Sequence, residues 1–138
     1  MNSLNNYLHF NGNCDEAFTF YEKVFNGKNV MKMTFDQAPP GMGSTPDFAK
    51  KIMHARIQIG DNLLMGSDAP NDRYQKPQGF SVSYNCDTPE EAERVYKELS
   101  AGGQVVMAMQ ETFWAKRFAM FSDRFGIPWM INCEKPMQ

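Results

Sequence analysis

Apolar residues recur at helical spacing in two stretches of the chain and in short strand-like runs around them. Ala17, Phe18, Tyr21, Val24 and Phe25 form one stripe, the spacing of an amphipathic helix with one buried face. Asn13 or Asp15 can cap that helix, and Asn26-Gly27 ends it. Ala92, Val95, Tyr96 and Leu99 form a second stripe. Thr88 and Glu91 make a capping box ahead of it, with Pro89 at the first helical position, where its missing N–H costs little. Gly102-Gly103 supplies the stop. A run at 4–10 predicts a strand before the first helix, and a run at 80–85 one before the second. Runs at 29–35, 52–59 and 63–67 predict three strands after the first helix, with Gly60-Asp61-Asn62 as a hairpin turn. Runs at 104–110, 113–121 and 128–133 predict three more after the second.

The two stretches are copies. A shift of 75 residues lays Glu16-Ala17 on Glu91-Ala92, Tyr21 on Tyr96, Val24 on Leu99, Gly27 on Gly102 and Val30 on Val105. Each copy reads strand–helix–strand–strand–strand, which makes the fold class α+β, two half-sheets each covered by one helix. The expected organisation is a single domain, 1–138, of two modules at about 3–68 and 78–134 joined by a linker at 69–77. That linker is polar and leaves open whether the halves pair within one chain or across a dimer. A second loop, 37–48, holds three prolines and two glycines, a length and composition typical of lids and contact segments.

Composition narrows the partners. A chain of 138 residues buries about two-thirds of its extended surface as one domain and needs no metal or disulfide for its core. Lys+Arg 14 against Asp+Glu 16 gives a net charge of −2, with no basic cluster to attract nucleic acid. No run approaches the roughly 18 apolar residues of a membrane span, and the first residues lack the pattern of a signal peptide. Cys14, Cys86 and Cys133 are an odd, widely spaced set, which fits reduced thiols and a cytoplasmic location better than a disulfide framework.

Several segments carry a family resemblance: Tyr7-Leu8-His9-Phe10-Asn11-Gly12-Asn13-Cys14, then Glu16-Ala17 and Phe20-Tyr21, then Leu64-Met65-Gly66-Ser67-Asp68. Glu111-Thr112-Phe113-Trp114 and Asp123-Arg124-Phe125-Gly126-Ile127-Pro128-Trp129-Met130-Ile131-Asn132 complete it. Across nearly its whole length the chain resembles the PhnB-like branch of the vicinal-oxygen-chelate superfamily, which includes glyoxalase I, extradiol dioxygenases and bleomycin-resistance proteins. The resemblance implies paired βαβββ modules forming a curved, cup-shaped mixed sheet around a pocket, usually in a homodimer. It also implies four metal-ligand positions, which fall at or near Asn6, at Met65 or Gly66, at Phe80 and at Met130. Amide, thioether, phenyl and hydrogen do not make a site for zinc, nickel or a harder ion. The expectation is therefore no metal and no cofactor. Members of this branch commonly carry the name demethylubiquinone methyltransferase. A cradle for S-adenosylmethionine commonly needs a glycine-rich turn after a buried strand, whereas Gly41-x-Gly43 lies in a proline-rich loop with no strand before it.

Candidate site residues follow from the strands that would line the pocket: His54, Met65, Phe80, Tyr84, Trp114, Phe118 and Met130. Most are apolar, the usual lining of a small-molecule site, and the 11 methionines suit an adaptable one. With both sheet faces covered, alternation does not say which parity faces the pocket. His54 is the residue best suited to act as a base near neutral pH. His9, alternating against Leu8 and Phe10, is expected to face away from them, and Cys14 to be buried and inert. Glu111 and Asp123 flank the Trp114 strand with Arg117 and Arg124 nearby, and a carboxylate beside an apolar cavity could serve as acid or base; the plainer reading is a salt-linked turn in Asp123-Arg124-Phe125-Gly126. The expected function is metal-free binding of a small organic molecule by a homodimer, as a binder or a catalyst. The alternative is a metal-dependent lyase or dioxygenase with displaced ligands such as His54 and Glu111. A third possibility is an interaction module using loop 37–48.

Overall fold

Leu8 and Phe10, alternating with exposed Tyr7 and His9, put one edge of a strand into a core and the other outside it. In the computed structural model, which describes residues 2–39, 46–70 and 72–136, the chain divides into two compact units, Met1–Gln75 and Lys76–Gln138. The first contains β1 (Asn6–Phe10), α1 (Cys14–Phe25), β2 (Lys28–Thr34), two single 3-10 turns (Phe35–Gln37 and Pro46–Phe48), β3 (Ile52–Ile59) and β4 (Asn62–Asp68). The strands form one sheet in the order β1-β4-β3-β2, with β1 parallel to β4 and the other pairs antiparallel. Gly41-x-Gly43 and the centre of loop 37–48 lie outside the described residues.

Helix α1 covers one face of this sheet. Ala17, Phe18, Tyr21 and Val24 are buried with Leu8, Phe10 and Ile57, and Phe18 meets Phe10 edge-on with ring centroids 6.0 Å apart. Gly66 on β4 permits that approach, because a Cβ there would stand 2.8 Å from the Leu8 carbonyl oxygen and 2.9 Å from the Phe18 ring. The cap differs from expectation. Asn13 occupies the N-cap position without a side-chain bond. Asp68, from the end of β4, accepts from the Cys14 N–H at 2.9 Å through Oδ1 and from the Ile52 N–H at 2.9 Å through Oδ2. A buried carboxylate thus meets the positive end of the helix and ties it to β3.

The second unit repeats the order with β5 (Val82–Asn85), α2 (Pro89–Leu99), β6 (Gln104–Gln110), β7 (Ala115–Ser122) and β8 (Pro128–Glu134). Its sheet runs β5-β8-β7-β6, with β5 parallel to β8. Thr88 accepts from the Glu91 N–H at 3.2 Å, one half of the expected capping box. The Glu91 carboxylate turns instead to Arg94 and Tyr84. Gly102 takes a φ of +78°, and a Cβ on Gly103 would come within 2.0 Å of the Ser122 carbonyl oxygen, so the stop also needs glycine for space. The turn from β7 to β8 is organised by buried Asp123, which accepts from the backbone N–H groups of Phe125 and Ile127 and from Trp129 Nε1 at 2.9–3.0 Å. Hydrogen bonds to this one carboxylate close the turn.

Two strand starts shift. The β5 ladder begins at Val82, opposite Trp129, so Phe80 precedes it and is 50% exposed. The Thr112 N–H donates to the Ala115 carbonyl and the Ala115 N–H to the Thr112 hydroxyl, each at 3.0 Å, which leaves Phe113 and Trp114 in the turn before β7. Phe113 is 89% exposed there.

Candidate functional site

Each sheet has a helix on one face, and register decides which side chains lie on the other. In the first unit two short rows cross the strands. Met31 stands opposite Arg56, Arg56 opposite Met65, and Met65 opposite Tyr7. In the adjoining row Met33 stands opposite His54 and Ser67 opposite His9. The methionines, His54 and Ser67 are half-buried, whereas Tyr7, His9 and Arg56 are exposed.

The Tyr7 hydroxyl and His54 Nδ1 are 3.3 Å apart. Ring centroids are 5.7 Å apart between Tyr7 and His54 and 5.3 Å between Tyr7 and His9. Both histidines of the chain therefore flank one tyrosine. Whichever partner donates in the Tyr7–His54 bond, one N–H or O–H of the pair remains free to donate. Beside His9 and Ser67 opens a cleft of about 760 Å³, also lined by Phe35, Asp72, Arg73 and Gln75. Its size suits a small organic molecule.

In the second unit the uncovered face carries Phe118 opposite Asn132 and Met120 opposite Met130. Trp114 packs edge-on against Phe118 at 5.2 Å and Phe113 against Trp114 at 4.8 Å. Asn132 is 9% exposed; its amide N–H donates to Asn85 at 3.2 Å, and its Oδ1 has no hydrogen-bond partner.

The residues singled out from sequence thus separate. His54 and Met65 share the uncovered face of the first sheet. Trp114, Phe118 and Met130 share that of the second. Phe80 precedes the β5 ladder. Tyr84 lies on the helix-covered side, opposite buried Ile131, with its hydroxyl donating to Glu91 at 3.1 Å. Burial, helped by the Glu91 carboxylate, pushes the Tyr84 phenol up to about 12. Glu111 is exposed and paired with Lys135 at 2.8 Å, which holds its carboxyl below the usual range. Cys14 is fully buried, and burial raises its thiol, with Asp68 adding to the effect. Tyr7, Arg56 and the cleft beyond His9 were missed. Arg56 follows His54 by two residues and so shares its face, but the proximity of Tyr7 needs the parallel β1–β4 pairing.

The donor types present do not fit a metal. Asn6 stands at the exposed start of β1, Gly66 is enclosed by Leu8 and Phe18, and Met65, Phe80 and Met130 offer only thioether sulfur or carbon. Among the described residues no three His, Cys, Asp or Glu side chains gather as a ligand set.

A four-stranded mixed sheet with one helix on one face, built twice in the order βαβββ, defines a chain of the glyoxalase type. The same fold occurs in a glyoxylase/bleomycin resistance protein/dioxygenase domain from a Frankia species, at TM-score 0.67 and 12% identity over 100% of this chain and 96% of that one. It also occurs in a PhnB protein from Bacillus cereus, at TM-score 0.76 and 22% identity over 96% and 99%. This chain belongs to the PhnB-like family described as 3-demethylubiquinone-9 3-methyltransferase, whose model matches residues 2–132. Protein YjdN of Escherichia coli is 35% identical, over 96% of this chain and 95% of its own length. The crystal structure of protein PA1353 from Pseudomonas aeruginosa aligns at TM-score 0.88 with 42% identity, over 99% and 100%.

Proposed function

We propose that this protein binds a small organic molecule, without a metal, on the uncovered face of its first sheet, with Met65 as part of the apolar floor and His54 as the polar anchor. The observation that carries the reading is the Tyr7–His54 contact among half-buried methionines, in rows whose His9 and Ser67 line a cleft. A concave lining of thioether and aromatic surface with a few placed donors is the usual form of such a site. Trp114, Phe118 and Met130 form the corresponding surface of the second unit. The same reading has the protein working as a homodimer in the cytoplasm, in keeping with three free cysteines.

The methyl transfer in the family's description finds no support in the residues themselves. Neither sheet is doubly wound, and no glycine-rich turn follows a buried strand among the described residues. A small aromatic probe such as naphthylmethanol at millimolar concentration is expected to raise the melting temperature of the wild type. Met65→Glu, which puts a carboxylate into the floor, is expected to abolish that rise while still melting cooperatively. An equal rise in both proteins would remove the site from this face.

A further inference from the structure

The chain is net acidic, yet the two rows across the uncovered face of the first sheet contain no carboxylate. Their charged or chargeable members are Arg56, His54 and His9. Arg56 on this face, like Arg73 in the cleft, differs from the arginines held by ion pairs. Arg94 is held by Glu91 and Glu98, and Arg117 by Glu93. The Arg56 side chain has no ion pair and no hydrogen bond among the described residues. In the register Arg56 stands between Met31 and Met65, in the row beside His54. The Tyr7–His54 pair adds one free donor and one free acceptor. Arg56, which only donates and is always charged, is therefore the group on this face that separates anions from cations. Beyond His9 the cleft lining carries charges of both signs, Asp68, Asp72 and Arg73.

Resting on the binding role assigned above, we infer that the ligand is a small organic carboxylate, its anionic group on Arg56 and its apolar body over Met31, Met33 and Met65. A planar carboxylate accepts two parallel bonds from a guanidinium, the geometry in which arginine is most selective. A cation would meet Arg56 unfavourably, and a neutral molecule would leave the guanidinium unanswered.

Three probes of one shape separate the possibilities: naphthoate, naphthylmethanol and naphthylmethylamine, titrated calorimetrically into the intact protein. Naphthoate is expected to bind roughly tenfold tighter than the alcohol, the size of one charge-assisted hydrogen bond, and the amine most weakly. In Arg56→Gln that advantage is expected to vanish with the affinity for the alcohol unchanged, and Arg56→Lys is expected to restore part of it. Equal binding of naphthoate and alcohol, or a naphthoate affinity unaltered in Arg56→Gln, would overturn the carboxylate assignment while leaving small-molecule binding in place. No binding by any of the three would overturn both.

Discussion

Cys14 begins α1, where the end of a helix dipole ordinarily lowers a thiol's pKa. Here the opposite holds, because the side chain is fully enclosed and the Asp68 carboxylate caps the same helix end. Burial raises Cys86 as well, to about 11, and Tyr84 to about 12. Each of these acids holds its proton to a higher pH in the folded chain than in the unfolded one. Their contribution to stability is complete below the unfolded values, near ~8.5 for a thiol, and is lost as pH rises toward the folded ones. Stability in urea is thus expected to fall between about pH 8.5 and pH 11. Cys86→Ala is expected to flatten that fall, and Cys14→Ala to flatten it further while lowering the whole curve. A denaturation midpoint constant across this range would contradict the burial described for both thiols.

The turn between β7 and β8 is the most tightly specified connection in the second unit, since one buried carboxylate answers three donors from Phe125, Ile127 and Trp129. Asp123→Ala removes the carboxylate that accepts from all three. The expected loss is on the order of 3 kcal/mol or more, measured by chemical denaturation, and a loss below about 1 kcal/mol would contradict the assignment. The turn motif was visible in the sequence, but the hydrogen bonds that Asp123 accepts from Phe125, Ile127 and Trp129 were not, because bonds to N–H groups leave no charge pattern to read. Both helices were legible from their stripes and stops, and so was the repeated βαβββ order. The strand starts at Phe80 and Phe113 were misplaced because aromatic residues favour strands wherever they occur, including turns where they end exposed. Tyr84 was placed with Met130 although one residue's offset along the strand sends it to α2. His54 and Met65 could be named from their strands. The Tyr7–His54 pairing could not, since it depends on β1 lying parallel to β4.

Duplication gives the protein two sheets of one plan but unlike uncovered faces. The first carries imidazole, phenol, guanidinium and thioether, the second aromatic rings and the buried amide of Asn132. The first is where a polar small molecule can be oriented, and the central claim is that one binds there. Methionine labelled with carbon-13 at the methyl group places reporters in the floor of that face. With naphthoate as the titrant, the account predicts that the resonances of Met31, Met33 and Met65, assigned by single Met→Leu substitutions, shift together and saturate at one molecule per chain. Saturable shifts confined to other methionines, with these three unmoved, would contradict it.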